Sequence, residues 1–150
     1  MIRWIAMVAG LVGAAGVALG AFAAHGLEDK LLADGMPVEL IAKKLATCDI
    51  AVRYHLVHAA ALLALAAAAP DWSPRRRSLS AIAFLLGIAM FCGVLYAQSI
   101  GGLTGLNLVV PIGGLFFIVG WLLIALTAAV SPFAHAKVRN HLSPNQIDTH

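Results

Sequence analysis

Residues 51–70 read AVRYHLVHAAALLALAAAAP. The segment opens with an arginine, a tyrosine and two histidines, becomes nearly pure alanine and leucine, and stops at Pro70. About 20 apolar residues in an α-helix cross the roughly 30 Å hydrocarbon core of a bilayer. The pattern predicts a membrane-spanning helix over 50–69 with its polar groups toward one end. At about 100° per residue, Tyr54, His55 and His58 share one arc, and Asp49 and Arg53 lie nearly opposite. Ionisable groups avoid lipid, so the Tyr/His arc is expected to face the bundle interior. Asp49 and Arg53 are expected to pair at the interface, with Arg53 snorkelling.

The rest of the chain fits one membrane domain. Of its 150 residues, 61% are hydrophobic and 11% charged, against about 25% charged in soluble domains. Too few charges remain to cover a surface facing water. The net charge of +3 does not point to nucleic acid, because the basic residues cluster at segment ends and Arg75-Arg76-Arg77 is the only run. A topological role for those cations explains them better, and no nucleic-acid partner is expected. Cys48 and Cys92 are isolated and form no CxxC or readable disulfide framework.

Working outward, the first span covers 4–24. Its apolar stretch is longer than the 7–15 or so residues of a signal-peptide core, so a retained helix is expected despite the Ala21-Phe22-Ala23 stretch. Gly16 and Gly20 form a GxxxG, whose small residues let helix backbones approach; packing within the chain is preferred here over a dimer face. Residues 25–47 are polar. Asp34-Gly35 reads as a turn and Pro37 as a helix start. Val38, Ile41, Ala42 and Leu45 fall at i, i+3, i+4 and i+7, with Glu39 and Lys43 as an i, i+4 pair opposite. A short amphipathic helix on the bilayer surface is expected, able to run on into the second span.

The third span covers 79–99, where Tyr96 is read as an interfacial anchor or an inward hydrogen-bonding group. The fourth covers 108–130. Pro111 either begins or kinks that helix, and Gly113 and Gly114 permit close helix contact. Residues 131–150 read as a polar cytoplasmic tail with scattered, solvated His135, His141 and His150. The fold class is therefore all-α: an integral membrane four-helix bundle over 1–130 with a short amphipathic interfacial helix between the first and second spans. Both termini and the 71–78 turn share a side, which holds Arg3, Arg75, Arg76, Arg77, Lys137 and Arg139. The other side holds Lys30, Lys43 and Lys44, with Arg53 at the boundary. The richer side is expected to be cytoplasmic.

Four stretches in this order carry a family resemblance: ALGAFAAHGL (18–27), YHLVHAAALLALA (54–66), FCGVLYAQSIGG (91–102) and PIGGLFFIVGWLL (111–123). Together they resemble the small membrane family catalogued as domain of unknown function 423, to which transmembrane protein 256 of animals also looks related. The likeness covers about four-fifths of the chain. A Gly-Ala-His pattern is kept only in part at Ala23–His25. Val110 stands where the family usually has Thr, which removes a hydroxyl at the start of the fourth helix. The resemblance implies a four-helix inner-membrane protein and no particular activity.

His25, Tyr54, His55 and His58 form the sharpest candidate cluster. If the first two spans pair antiparallel, His25, His55 and His58 are candidates to hold zinc, copper or haem, or to pass protons. The preferred reading is that these side chains hydrogen-bond between helices and fix the packing. No HExxH, GxSxG or paired-carboxylate arrangement is present, so an enzyme is not expected, and neither is a cofactor. The expected role is a structural or interaction component of the membrane, with the lipid bilayer and a membrane protein or second copy as partners. A transporter or ion conductor is the alternative, and a metal or haem protein a second one.

Overall fold

The computed structural model describes residues 2–68 and 72–130. The elements in order are α1 (Ile2–His25), α2 (Leu27–Ala33), α3 (Val38–Ala67), α4 (Pro74–Gly87), a π-helical segment (Ile88–Cys92), α5 (Gly93–Ser99) and α6 (Val109–Val130). α4, the π segment and α5 run on as one rod, so four rods are long and apolar enough to cross a membrane: 3–25, 38–67, 74–99 and 109–130. The all-α bundle expected from the sequence is the fold. The polar tail expected over 131–150, with His135, His141 and His150, lies outside the described residues, as does Asp71 of the turn before α4.

The amphipathic segment runs on into the second span, the continuous form that the sequence allows. Residues 38–49 are not a separate element but the first turns of a 30-residue α3. The separate short helix is instead α2, whose Leu27 and Leu31 are fully buried. Its end is set by local chemistry. Gly35 adopts φ +71°, Met36 N–H returns to the Leu31 carbonyl and Gly35 N–H to Leu32, the paired bonds of a Schellman stop. Pro37 then caps α3 from just outside the helix rather than occupying its first turn. Nothing in 45–50 breaks the helical pattern, so α3 continues from its amphipathic start into its apolar half. The expected Glu39–Lys43 pair does not form, whereas Lys30 and Asp34 pair at 2.6 Å on the exposed face of α2.

Pro111 begins a helix rather than kinking one. It sits in the first turn of α6, where a missing N–H leaves no bond unmade, and α6 is a single helix of 22 residues. Pro74 likewise opens α4.

Two antiparallel pairs make up the bundle. In the first, Gly13 faces Ala59, Gly16 faces His55 and Leu56, and Gly20 faces Val52, so a step up α1 matches an equal step down α3. In the second, Gly87 faces Phe117, Gly113 faces Phe91, and Gly120 faces Phe84. Each phenylalanine of this second seam lies over a glycine of the opposite rod. α3 joins the pairs by packing against the π segment and α5, whereas α1 and α6 do not meet among the described residues. One core, including Ala51, Leu62, Phe84, Cys92 and Phe117, runs through the middle. A smaller core of Leu27, Leu31, Ile41 and Cys48 closes one end, and Tyr96 packs against both.

The outer helices carry apolar side chains on their outside. Met7, Leu11 and Val17 of α1 and Leu115, Leu122 and Leu126 of α6 are all more than half exposed. Such a continuous apolar surface is unstable in water and suited to lipid. Arg77 shows a different use of a cation. It is only 4% exposed, and its Nη1 donates to the Ala68 carbonyl at 3.2 Å, at the C-terminal end of α3. A charge in that position complements the helix dipole.

Candidate functional site

The α3 and α6 backbones stay apart, with no Cα pair within 8 Å. Aromatic side chains fill the space between them. His58, 4% exposed, stacks on Phe117 with ring centroids 3.6 Å apart and planes at 14°. Phe84 approaches the same imidazole at 5.3 Å. The hydrogen bonds of His58 define its chemistry. Its Nδ1 lies 2.7 Å from the Tyr54 carbonyl; a carbonyl only accepts, so Nδ1 carries the proton and donates. The Trp121 indole N–H is 3.3 Å from Nε2; an indole only donates, so Nε2 is the accepting nitrogen. Both partners therefore require the same neutral tautomer, and both ring nitrogens are occupied.

His55 is also buried, at 6% exposure, but is differently engaged. Its Nδ1 is 3.2 Å from the Tyr96 hydroxyl, while Nε2 is buried with no hydrogen-bond partner. The ring edge lies 3.4 Å from where a Gly16 side chain would begin. The tip of Leu56 comes closer still, at 2.8 Å, so Leu56 is what a side chain at Gly16 would meet first.

Tyr54 lies at the margin of this arrangement. It is 46% exposed, with its ring 4.7 Å from Phe91 and 6.0 Å from Phe117. The arc read from the sequence thus divides, with His55 and His58 inside and Tyr54 at the edge. Asp49 and Arg53 lie on the exposed side, Arg53 Nη2 2.7 Å from Asp49 Oδ2.

His25 does not join the cluster. It is exposed at the end of α1, nine residues beyond Gly16, or about 13.5 Å along the helix at 1.5 Å per residue. The register of the pair puts it level with Thr47, well past His55. Among the described residues, no three His, Cys, Asp or Glu side chains are grouped to hold a metal ion. The antiparallel register of α1 and α3 therefore sets His25 apart from His55 and His58.

The glycine expectations divide as well. Gly16 and Gly20 pack on α3 within the chain, and Gly113 packs on the π segment. Gly114 only reaches ordinary contact with Phe91, at 3.9 Å. The sequence reading missed Phe117 and Trp121, which complete the ring cluster. Their signal was spacing: Gly113, Phe117 and Trp121 recur every four residues on one face of α6. It also missed Lys44, whose ammonium donates to the Gln98 carbonyl at 2.7 Å and the Ser99 carbonyl at 3.4 Å, capping α5.

A groove beside the rings, lined by Tyr54, Phe91, Leu115 and Trp121 among others, has a volume of about 390 Å³. Its walls are aromatic and aliphatic and its one imidazole is already engaged on both nitrogens. The site holds no activated nucleophile, no paired acid and base, and no free pair of ligands. What its geometry provides is a link between α3 and α6.

Residues 19–114 match the family described as "Protein of unknown function (DUF423)". The chain is 38% identical over 109 residues to a UPF0382 membrane protein of Haemophilus influenzae, covering 73% of this chain and 80% of that one. It is 35% identical over 114 residues to the UPF0382 membrane protein YwdK of Bacillus subtilis, covering 75% and 85%. It is 31% identical over 130 residues to the UPF0382 inner membrane protein YgdD of Escherichia coli K12, covering 84% and 89%. No solved structure matches the chain. The family match covers the second and third rods with the adjoining ends of the first and fourth, and the chain is a small multi-pass membrane protein belonging to the DUF423 family.

Proposed function

We propose that this protein is a structural or interaction component of the cell's inner membrane, a bundle that presents the outer faces of α1 and α6 to a membrane partner or a second copy. The observation that carries this reading is the double engagement of His58. A residue whose two nitrogens are committed to Tyr54 and Trp121, and whose ring lies on Phe117, serves as a packing element. Conduction would need a polar path past this point, and the Ala/Leu-rich half of α3 beyond His58 offers none. A metal held by all three candidate histidines would need His25 beside the buried pair, and the α1–α3 register sets it apart.

The orientation that best fits the cations has both termini on the cytoplasmic side, with α2 and the start of α3 outside. Arg3, Arg75 and Arg76 support it. Arg77 counts less, since its guanidinium caps α3.

Isolation from native membranes in a mild detergent tests the role. A stoichiometric membrane companion or a stable homo-oligomer is expected; a protein that remains monomeric and alone would overturn the proposal. Absorption spectroscopy and metal analysis of the same preparation test the rival reading. A Soret band or a stoichiometric metal would favour a ligand-binding protein instead.

A further inference from the structure

A cavity of about 420 Å³ lies at one end of the bundle, between the first turns of α3, the end of α5 and the loop before α6. The volume falls within the range of small-ligand sites, about 300–1,000 Å³. Its polar wall combines the cations Lys43 and Lys44 with Thr47, Gln98, Ser99, Thr104 and Asn107, and among the described residues no carboxylate lines it. The Lys44 ammonium is held by the α5 carbonyls, which fixes its position without neutralising its charge. The exposed Lys43 makes no ion pair, although Glu39 stands one turn away. Asn107 uses its amide oxygen to accept from Gln98 at 3.4 Å, which leaves its amide N–H groups to donate. The polar side is thus rich in donors and cations.

The remaining wall is apolar, from Met36, Leu40 and Leu103. Gly102 and Gly105, at φ +69° and +90°, let the loop turn over the cavity and add no side chain of their own to it. The site lies beside the amphipathic start of α3, next to its apolar half, the place where a bilayer centred on the apolar half would put its headgroups. An anionic head beside the lysines and an apolar chain along Leu40 and Leu103 match both walls.

We propose that this cavity binds the phosphate headgroup of an anionic phospholipid from the surrounding bilayer. Basic pockets between membrane helices recognise such headgroups through the same combination of fixed cations and adjacent apolar surface. This proposal is independent of what the outer helices engage.

The test uses the full-length protein in a neutral detergent, with phosphatidylglycerol, phosphatidylcholine and inorganic phosphate as probes. Bound lipid is counted by native mass spectrometry and thermal stability is followed in parallel. Phosphatidylglycerol is expected to bind and raise the melting temperature, while phosphatidylcholine and inorganic phosphate at equal concentration do not. Lys43→Gln is expected to weaken phosphatidylglycerol binding about five-fold, the effect of one cation near a lipid headgroup. Lys43 makes no contact that folding depends on, so this variant separates binding from stability. Lys44→Gln is expected to weaken binding further. Lys30→Gln, whose parent side chain pairs with Asp34, should leave binding unchanged. Equal binding of phosphatidylcholine, an equal response to inorganic phosphate, or unchanged binding by Lys43→Gln would overturn the proposal.

Discussion

In the α1–α3 pair, glycine faces the ends of aliphatic side chains; between α6 and the α4–π rod, it faces backbone and aromatic rings. A side chain at Gly16 would begin 2.8 Å from the tip of Leu56, and one at Gly20 3.1 Å from a methyl of Val52. Leu56 can rotate away. A side chain at Gly113 would overlap the backbone nitrogen of Phe91 itself, and one at Gly87 or Gly120 would overlap the ring of Phe117 or Phe84. Both rings already pack against His58, and Phe84 also against Trp121. One half of the bundle can therefore adjust, while the other is fitted closely around the π segment. A GxxxG motif alone does not distinguish the two situations; the contacted atom does.

Substitutions ranked by this difference should break the bundle unevenly. Gly113→Val is expected to have the largest effect, a loss at or above the upper end of the roughly 1–3 kcal/mol typical of overpacking, because the obstructing atom is backbone. Thermal unfolding in detergent measures it, and a melting temperature near wild type would show that α6 does not seat on the π segment. Gly87→Ala and Gly120→Ala come next, at about 1–3 kcal/mol, since a stacked phenylalanine must move. A loss in these two variants no larger than at Gly16 would erase the contrast between the halves. Gly16→Ala should cost less than about 1 kcal/mol, as Leu56 rotates and the gain in helix propensity offsets part of the contact. Gly10, with nothing within 4 Å of a side chain there, should accept Ala with no loss. A marked drop at Gly10 in a bilayer, absent in dilute detergent, would point to an α1-mediated contact between copies.

The sequence revealed the spans because hydropathy is a property of each residue and its near neighbours. The four rods fall within a few residues of the expected 4–24, 50–69, 79–99 and 108–130, except where α3 and α4 extend into polar flanks. The inward turn of His55 and His58 was legible from helical periodicity, and so was the Asp49–Arg53 pair. The failure of His25 to join them was not, because it depends on the vertical offset between α1 and α3. That offset is set by which side chains meet Gly13, Gly16 and Gly20. The π segment left no mark on composition. α2 was hidden for another reason: seven residues rich in charge resemble a loop, and only its burial of Leu27 and Leu31 against Ile41 and Cys48 makes it a helix.

His58 is the centre of the link between α3 and α6, through its hydrogen bond from Trp121 and its stacking on Phe117, and a double-mutant cycle on His58 and Trp121 tests it most directly. His58→Ala, Trp121→Phe and the double variant are compared by reversible unfolding in the same detergent. If His58 joins the helices through the indole N–H, the sum of the two single losses should exceed the double loss by a coupling of about 0.6 kcal/mol or more, the average for interhelical bonds in membranes. Strictly additive losses, or a His58→Ala variant as stable as wild type, would contradict the account.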